Sequence, residues 1–129
     1  MRYMRALPFL LVLLIVLFAG LKPDPVPQMF HHQDKLHHLA GFAALVFTLR
    51  FAFMRLHWGV VVIGSLTAAL AIELLQGALP YRTPSLGDML ANGLGVGCGL
   101  LASLMLRGWL ARVEGRLVAP SDCPFGEAW

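Results

Sequence analysis

Between Glu73 and Asn92 the chain reads ELLQGALPYRTPSLGDMLAN, a stretch that holds two carboxylates, two amides and an arginine. Glu73 and Gln76 are three apart and Asp88 and Asn92 four apart, so on helices each pair shares a face. A second polar set, Asp34, Lys35 and His38, opens the apolar run that follows it. Carboxylates beside a lysine, an arginine and an imidazole suit either anion recognition or general acid–base chemistry. In both cases side chains from three sections of chain must meet at one place.

The composition fixes what kind of scaffold could bring them there. Of 129 residues, 58% are hydrophobic and only 13% charged, against roughly 25% charged in a soluble domain. The mean hydropathy is +0.72. These values describe a small all-α membrane protein, and the run lengths predict a bundle of four transmembrane helices. In that solvent an ionisable side chain costs at least a few kcal/mol unless it is paired or hydrated, so its presence in a span marks a functional site by default.

Taken in order, a charge-free run from Ala6 to Leu21 follows Arg2 and Arg5, with Pro8 in what should be its first turn. It lacks a convincing small-residue cleavage site and reads as an uncleaved first span. Lys22-Pro23-Asp24-Pro25-Val26-Pro27 then breaks the helix. The second span enters polar end first, through Asp34, Lys35 and His38, and runs apolar from Leu39 to Leu49 before Arg50 and Arg55. A third span is expected over Trp58 to Leu79, and a fourth over Leu86 to Leu106. In the fourth, Asp88, Asn92, Gly95 and Gly99 fall at i, i+4, i+7 and i+11, one stripe that should face the bundle. A basic interfacial helix is expected from Arg107. The domain is placed at 1–118, with a disordered tail at 119–129.

Seven of the ten Lys and Arg residues (Arg2, Arg5, Arg50, Arg55, Arg107, Arg112 and Arg116) fall on one side of this arrangement, and Lys22, Lys35 and Arg82 on the other. The positive-inside bias puts both termini in the cytoplasm and the polar cluster outside it, in the inner membrane. The sequence pI near 9.3 is therefore a topology signal and no nucleic-acid partner is expected. His31, His32, His37 and His38 with Asp34 raise a metal site. Adjacent histidines diverge on a helix, however, and the spacing fits no ligand motif, so interfacial hydrogen bonding is the preferred reading and no metal or other cofactor is expected. Cys98 and Cys123 form no disulfide framework.

The ordered set DKLHHLAGFAAL and AIELLQGALPYRTPSLGDMLANGLGVGCG resembles the VanZ-like family of small membrane proteins. Its members share Asp-Lys-x-x-His at the start of one helix, Glu-x-x-Gln on the next, and an Arg followed by Asp-x-x-x-Asn-x-x-Gly. The resemblance runs from about Asp34 to Gly99 and places the family's positions at Asp34, Lys35, His38, Glu73, Gln76, Arg82, Asp88, Asn92 and Gly95. It implies a location and a residue set, and a family link to teicoplanin resistance, without implying a reaction.

Three readings stay open on sequence alone. The cluster binds an anionic or amphiphilic envelope molecule. Alternatively it is a membrane-surface enzyme with Glu73 or Asp88 as general base and His38 as acid or base, although no GxSxG, HExxH or P-loop pattern occurs. The third is an ion-pair network that only fixes helix packing. In each of them Glu73 should lie within direct or water-mediated reach of Lys35, His38, Arg82 or Asn92.

Overall fold

A computed structural model describes residues 2–21, 32–79 and 85–118, arranged as four helices: α1 (Arg2–Leu21), α2 (Gln33–Ala52), α3 (Trp58–Gly77) and α4 (Leu86–Val118). The Pro-rich segment, His31, Arg82 and the tail lie outside the described residues. The protein is an all-α four-helix bundle. Three helices, α1, α3 and α4, are long and apolar enough to cross a membrane. The fourth, α2, equals α1 and α3 at 20 residues. Asp34, Lys35, His37, His38 and Arg50 keep its hydropathy lower.

Neighbouring helices run antiparallel. Phe9 near the start of α1 meets Phe53 at the end of α2, edge to face with centroids 6.1 Å apart. At the other end Gln76, late in α3, reaches Gly20, late in α1. Lys35 and Asp88, both in first turns, pair α2 with α4 in parallel.

Two helices differ from their expected extents. α1 starts at Arg2, so Pro8 sits inside it rather than in its first turn. The proline withholds one N–H from the Met4 carbonyl, a loss confined to the end of the span. α4 continues for 33 residues, the expected fourth span and the helix expected from Arg107 forming one element. A lone Gly108 costs only about 1 kcal/mol, too little to stop a helix flanked by strong helix formers. At 1.5 Å per residue α4 is about 50 Å long, against a hydrocarbon thickness of about 30 Å.

The polarity is inverted relative to a soluble bundle. Leu7, Leu11, Leu14 and Phe18 on α1, Ile63 and Leu74 on α3, and Leu90 and Leu94 on α4 point outward. The buried set includes Arg50, Ser65, Glu73, Gln76, Asp88, Asn92 and Ser103 beside a core of Phe42, Leu45, Val46, Val61, Ala69, Ile72 and Val96. Lipid solvates apolar side chains as well as the core does, so what selects the inward face is polar pairing and close packing.

At the arginine end, side chains from two helices hold the α2–α3 turn. Arg50 donates to the Leu56 carbonyl, and Arg107 Nη2 donates to the Met54 carbonyl at 2.9 Å. His57 caps α3, its Nδ1 accepting from Gly59 N at 3.1 Å.

Close packing concentrates between α2 and α4. A Cβ added to Gly95 would run into the Leu39 carbonyl oxygen and come within 3.1 Å of Ala43 N. One at Gly99 would strike the Ala43 carbonyl oxygen and come within 3.0 Å of Val46 Cβ. Gly93 and Gly97 have nothing within 4 Å of the same position. The stripe read from sequence therefore faces α2, and only one of the two glycine pairs is a contact.

Gly95→Ala should lower stability in mild detergent by about 1–3 kcal/mol, because rigid backbone rather than a flexible side chain blocks the methyl. Gly97→Ala should leave it unchanged or raise it by up to about 1 kcal/mol. Equal effects at the two positions in thermal unfolding would show that the glycine contact does not hold the bundle.

Candidate functional site

The start of α2, the end of α3 and the start of α4 meet at one end of the bundle, and their polar residues face inward there. On α4 the buried positions Asp88, Ala91, Asn92, Gly95, Val96 and Gly99 form a continuous stripe. On α3, Val61, Ser65, Ala69 and Glu73 repeat at four-residue intervals, with Ile72 and Gln76 beside them. On α2, His38 continues into Phe42 and Val46 along one face. Each helix thus carries its polar group at the end of its packing stripe.

The tightest gathering is between α2 and α4. Lys35 Nζ lies 3.4 Å from Asp88 Oδ1. The stem of Lys35 lies against the first turn of α4, its Cε only 2.7 Å from where a Gly87 Cβ would stand. His38 Nδ1 is 3.1 Å from Asn92 Oδ1. His38 Nε2 is 4.0 Å from Asp34 Oδ1 and 4.0 Å from Asp88 Oδ2. The side chains of His38 and Asp88 are each 10% exposed and that of Asp34 39%, so the group is closed on the α4 side and open beside Asp34. One ligand atom from each of Asp34, His38 and Asp88 lies within 4.8 Å of the others, a spacing that a metal ion can bridge. His38 alone of the sequence's α2 histidines enters this set.

Among the described residues Glu73 takes its hydrogen bond from the main chain. Its donor is not Lys35, His38 or Asn92 but the backbone: Ser85 N–H donates to Glu73 Oε1 at 2.5 Å. Ser85 immediately precedes α4, and its carbonyl accepts from Asp88 N and Met89 N at 3.0 and 3.2 Å. The carboxylate therefore sits at the positive end of the α4 dipole, where a negative charge is favoured. Gln76 has a comparable task on α1. Its Nε2 donates to the Gly20 carbonyl at 2.7 Å, one of the carbonyls a helix C-terminus leaves unsatisfied.

Five of the eight sequence-derived residues, Asp34, Lys35, His38, Asp88 and Asn92, come together, each within 4.0 Å of another. Glu73 and Gln76 line the same end through backbone partners, and Arg82 lies outside the described residues. Glu73 Oε2 and Asn92 Nδ2 are buried and make no hydrogen bond among the described residues.

Sequence reasoning did not find the cavity beside this cluster. It measures about 450 Å³ and lies between α1, α2 and α3. Asp34, His37, His38 and Gln76 give it a polar part, and Ile15, Val16, Ala19 and Ile72 an apolar wall. Its α1 residues are ordinary span residues in sequence, so no motif marks them.

Alanine at His38 and Asn92, singly and together, tests whether the 3.1 Å contact is energetically real. A double-mutant cycle in detergent should give a coupling of about 0.6 kcal/mol, and no more than about 1.7, as for other interhelical hydrogen bonds in membranes. Strict additivity would mean the two side chains are neighbours only.

Comparison with curated proteins and with solved structures returned no match. A family model described as VanZ/LLP1 matches residues 7–107, a range that takes in α2 and α3 whole, most of α1, and α4 as far as Arg107. The chain belongs to the VanZ/LLP1 family.

Proposed function

We propose that this membrane protein binds an envelope amphiphile, its anionic headgroup at the Asp34–Lys35–His38–Asp88 cluster and its apolar part in the adjoining cavity. The observation that carries this reading is the shape of the cavity: Asp34 and His38 belong both to the cluster and to its lining, and the rest of its wall is largely apolar. A volume of about 450 Å³ is within the range of about 300–1,000 Å³ of small-molecule sites. Lys35, 41% exposed along its side chain, supplies a cation at the rim. The ligand class is a cell-wall or lipid-linked molecule, and the teicoplanin link of the family makes lipoglycopeptide sensitivity a natural phenotype to measure.

We place the protein in the cytoplasmic membrane as a multi-pass chain, with the arginine end inside and the cluster outside. Supporting this, Arg5, Arg50 and Arg107 lie at the end of the bundle opposite the cluster. Reporter fusions should read extracytoplasmic at residue 83 and cytoplasmic at residue 118. A cytoplasmic reading at 83 overturns the orientation.

A second reading has its own support. Lys35–Asp88 and His38–Asn92 both bridge α2 and α4, so the network could serve packing alone. Two substitutions separate the readings: Lys35→Ala at the headgroup position and Ala19→Trp to fill the apolar wall. Native mass spectrometry of the purified chain, offered a polyprenyl phosphate, should show retention lost in both, with stability changed by less than about 1 kcal/mol. Retention equal to wild type in both variants rejects the binding site. Loss of folding in step with loss of retention assigns the network to packing.

A further inference from the structure

We propose that Asp34, His38 and Asp88 form a binding site for a divalent cation of the Zn²⁺ or Mn²⁺ class, with its open coordination positions facing the cavity. The role given to the cation rests on the amphiphile-binding reading, but the site itself does not.

The argument begins with the imidazole. An amide oxygen can only accept, so the 3.1 Å contact from His38 to Asn92 Oδ1 makes Nδ1–H the donor. Nε2, the ring atom left free of that bond, faces Asp34 Oδ1 and Asp88 Oδ2 at 4.0 Å each. Both separations exceed hydrogen-bond length. Ligand distances of about 2.0–2.2 Å place neighbouring ligand atoms roughly 3–3.6 Å apart, so small side-chain rotations would close the three onto one ion.

The surrounding contacts fit this use. A metal-binding histidine commonly donates its second ring N–H to an oxygen that fixes tautomer and orientation, and Asn92, fully buried, occupies that position. Asp88 divides its oxygens, Oδ1 toward Lys35 and Oδ2 toward His38. His38 is nine-tenths buried along its side chain, with Nε2 aimed into the gap. One nitrogen and two carboxylate oxygens form a donor set between the imidazole-rich sites of zinc and the oxygen sites of manganese.

Charge balance points the same way. Asp34 Oδ1 and Asp88 Oδ2 both face the gap beside His38 Nε2. A divalent cation offsets both. With three protein ligands the coordination sphere stays incomplete, and the cavity beside Asp34 and His38 is where a phosphate oxygen would complete it.

The test uses the full chain, purified in detergent and stripped by a chelator, then titrated with Mn²⁺ alone and read by loss of the free-ion electron paramagnetic resonance signal. One site per chain is expected. Asp88→Asn and His38→Ala should weaken binding at least about a hundredfold, and Asn92→Ala about tenfold or more, since it only orients His38. Lys35→Ala removes a repelling cation but no ligand, so it should bind Mn²⁺ as well as wild type or better. It also controls for loss of the Lys35–Asp88 tie. Zn²⁺ should displace the Mn²⁺ in competition. Failure of the wild type to bind either ion overturns the site, as does binding in Asp88→Asn and His38→Ala equal to wild type. Because no lipid is present, this outcome is independent of polyprenyl phosphate retention. A cation that binds while chelation leaves that retention unchanged overturns its role in headgroup binding.

Discussion

Two glycines one turn apart allow α4 to lie directly against the backbone of α2, and the polar contacts above them depend on that approach. The register is continuous: Gly99 against Ala43 and Val46, Gly95 against Leu39 and Ala43, Asn92 against His38, and Asp88 against Lys35. The two helices run parallel, so each step of about a turn on one is matched on the other. Hydrogen bonds tolerate only a few tenths of an ångström of extra separation. A methyl group at either glycine would require more, and would open the lower contact and the polar end together.

The helix termini explain why the polar end can be tolerated in an apolar setting. Glu73 and Asp88 both lie where α4 presents unsatisfied N–H groups, and Gln76 covers a carbonyl at the end of α1. Backbone groups that lipid would leave unsatisfied are instead partners for side chains, which lowers the cost of both. α2, α3 and α4 each end the inward stripe with a polar residue, so the polar layer and the apolar core follow from the same periodicity. On the lipid side, leucines and isoleucines need no partner at all.

The sequence made the membership of the polar cluster legible because its residues recur at helical spacing. Asp34 and His38, Glu73 and Gln76, and Asp88 and Asn92 each share a face, and three parallel or antiparallel runs of similar length put the faces at one depth. Partners were less legible. Glu73 meets the Ser85 backbone and Gln76 the Gly20 carbonyl, and a backbone group has no side-chain identity to read. The α1 wall of the cavity was invisible for a related reason, since Ile15, Val16 and Ala19 look like any other span residues. The fourth span and the interfacial helix expected from Arg107 form one continuous α4, because helix propensity continues through Arg107 and Gly108. Likewise the pairing of His38 with Asp88 requires two helices to be docked, and ligand spacing along one chain segment could not express it.

The two ends of the bundle handle charge in opposite ways. At one end Arg50 and Arg107 donate to carbonyls of the α2–α3 turn, so their charges are spent on fixing a connection. At the other, among the described residues, Lys35 pairs with Asp88, Glu73 accepts from a backbone N–H, and His38 Nε2 lies 4.0 Å from Asp34 and from Asp88. An anionic headgroup arriving there would meet the Lys35 ammonium beside the carboxylates. A cation in the gap bounded by Asp34, His38 and Asp88 would add positive charge between the carboxylates and a phosphate, and that gap touches both the cluster and the cavity. The same gap therefore decides whether this end of the bundle is a tie between helices or a receptor for an anion.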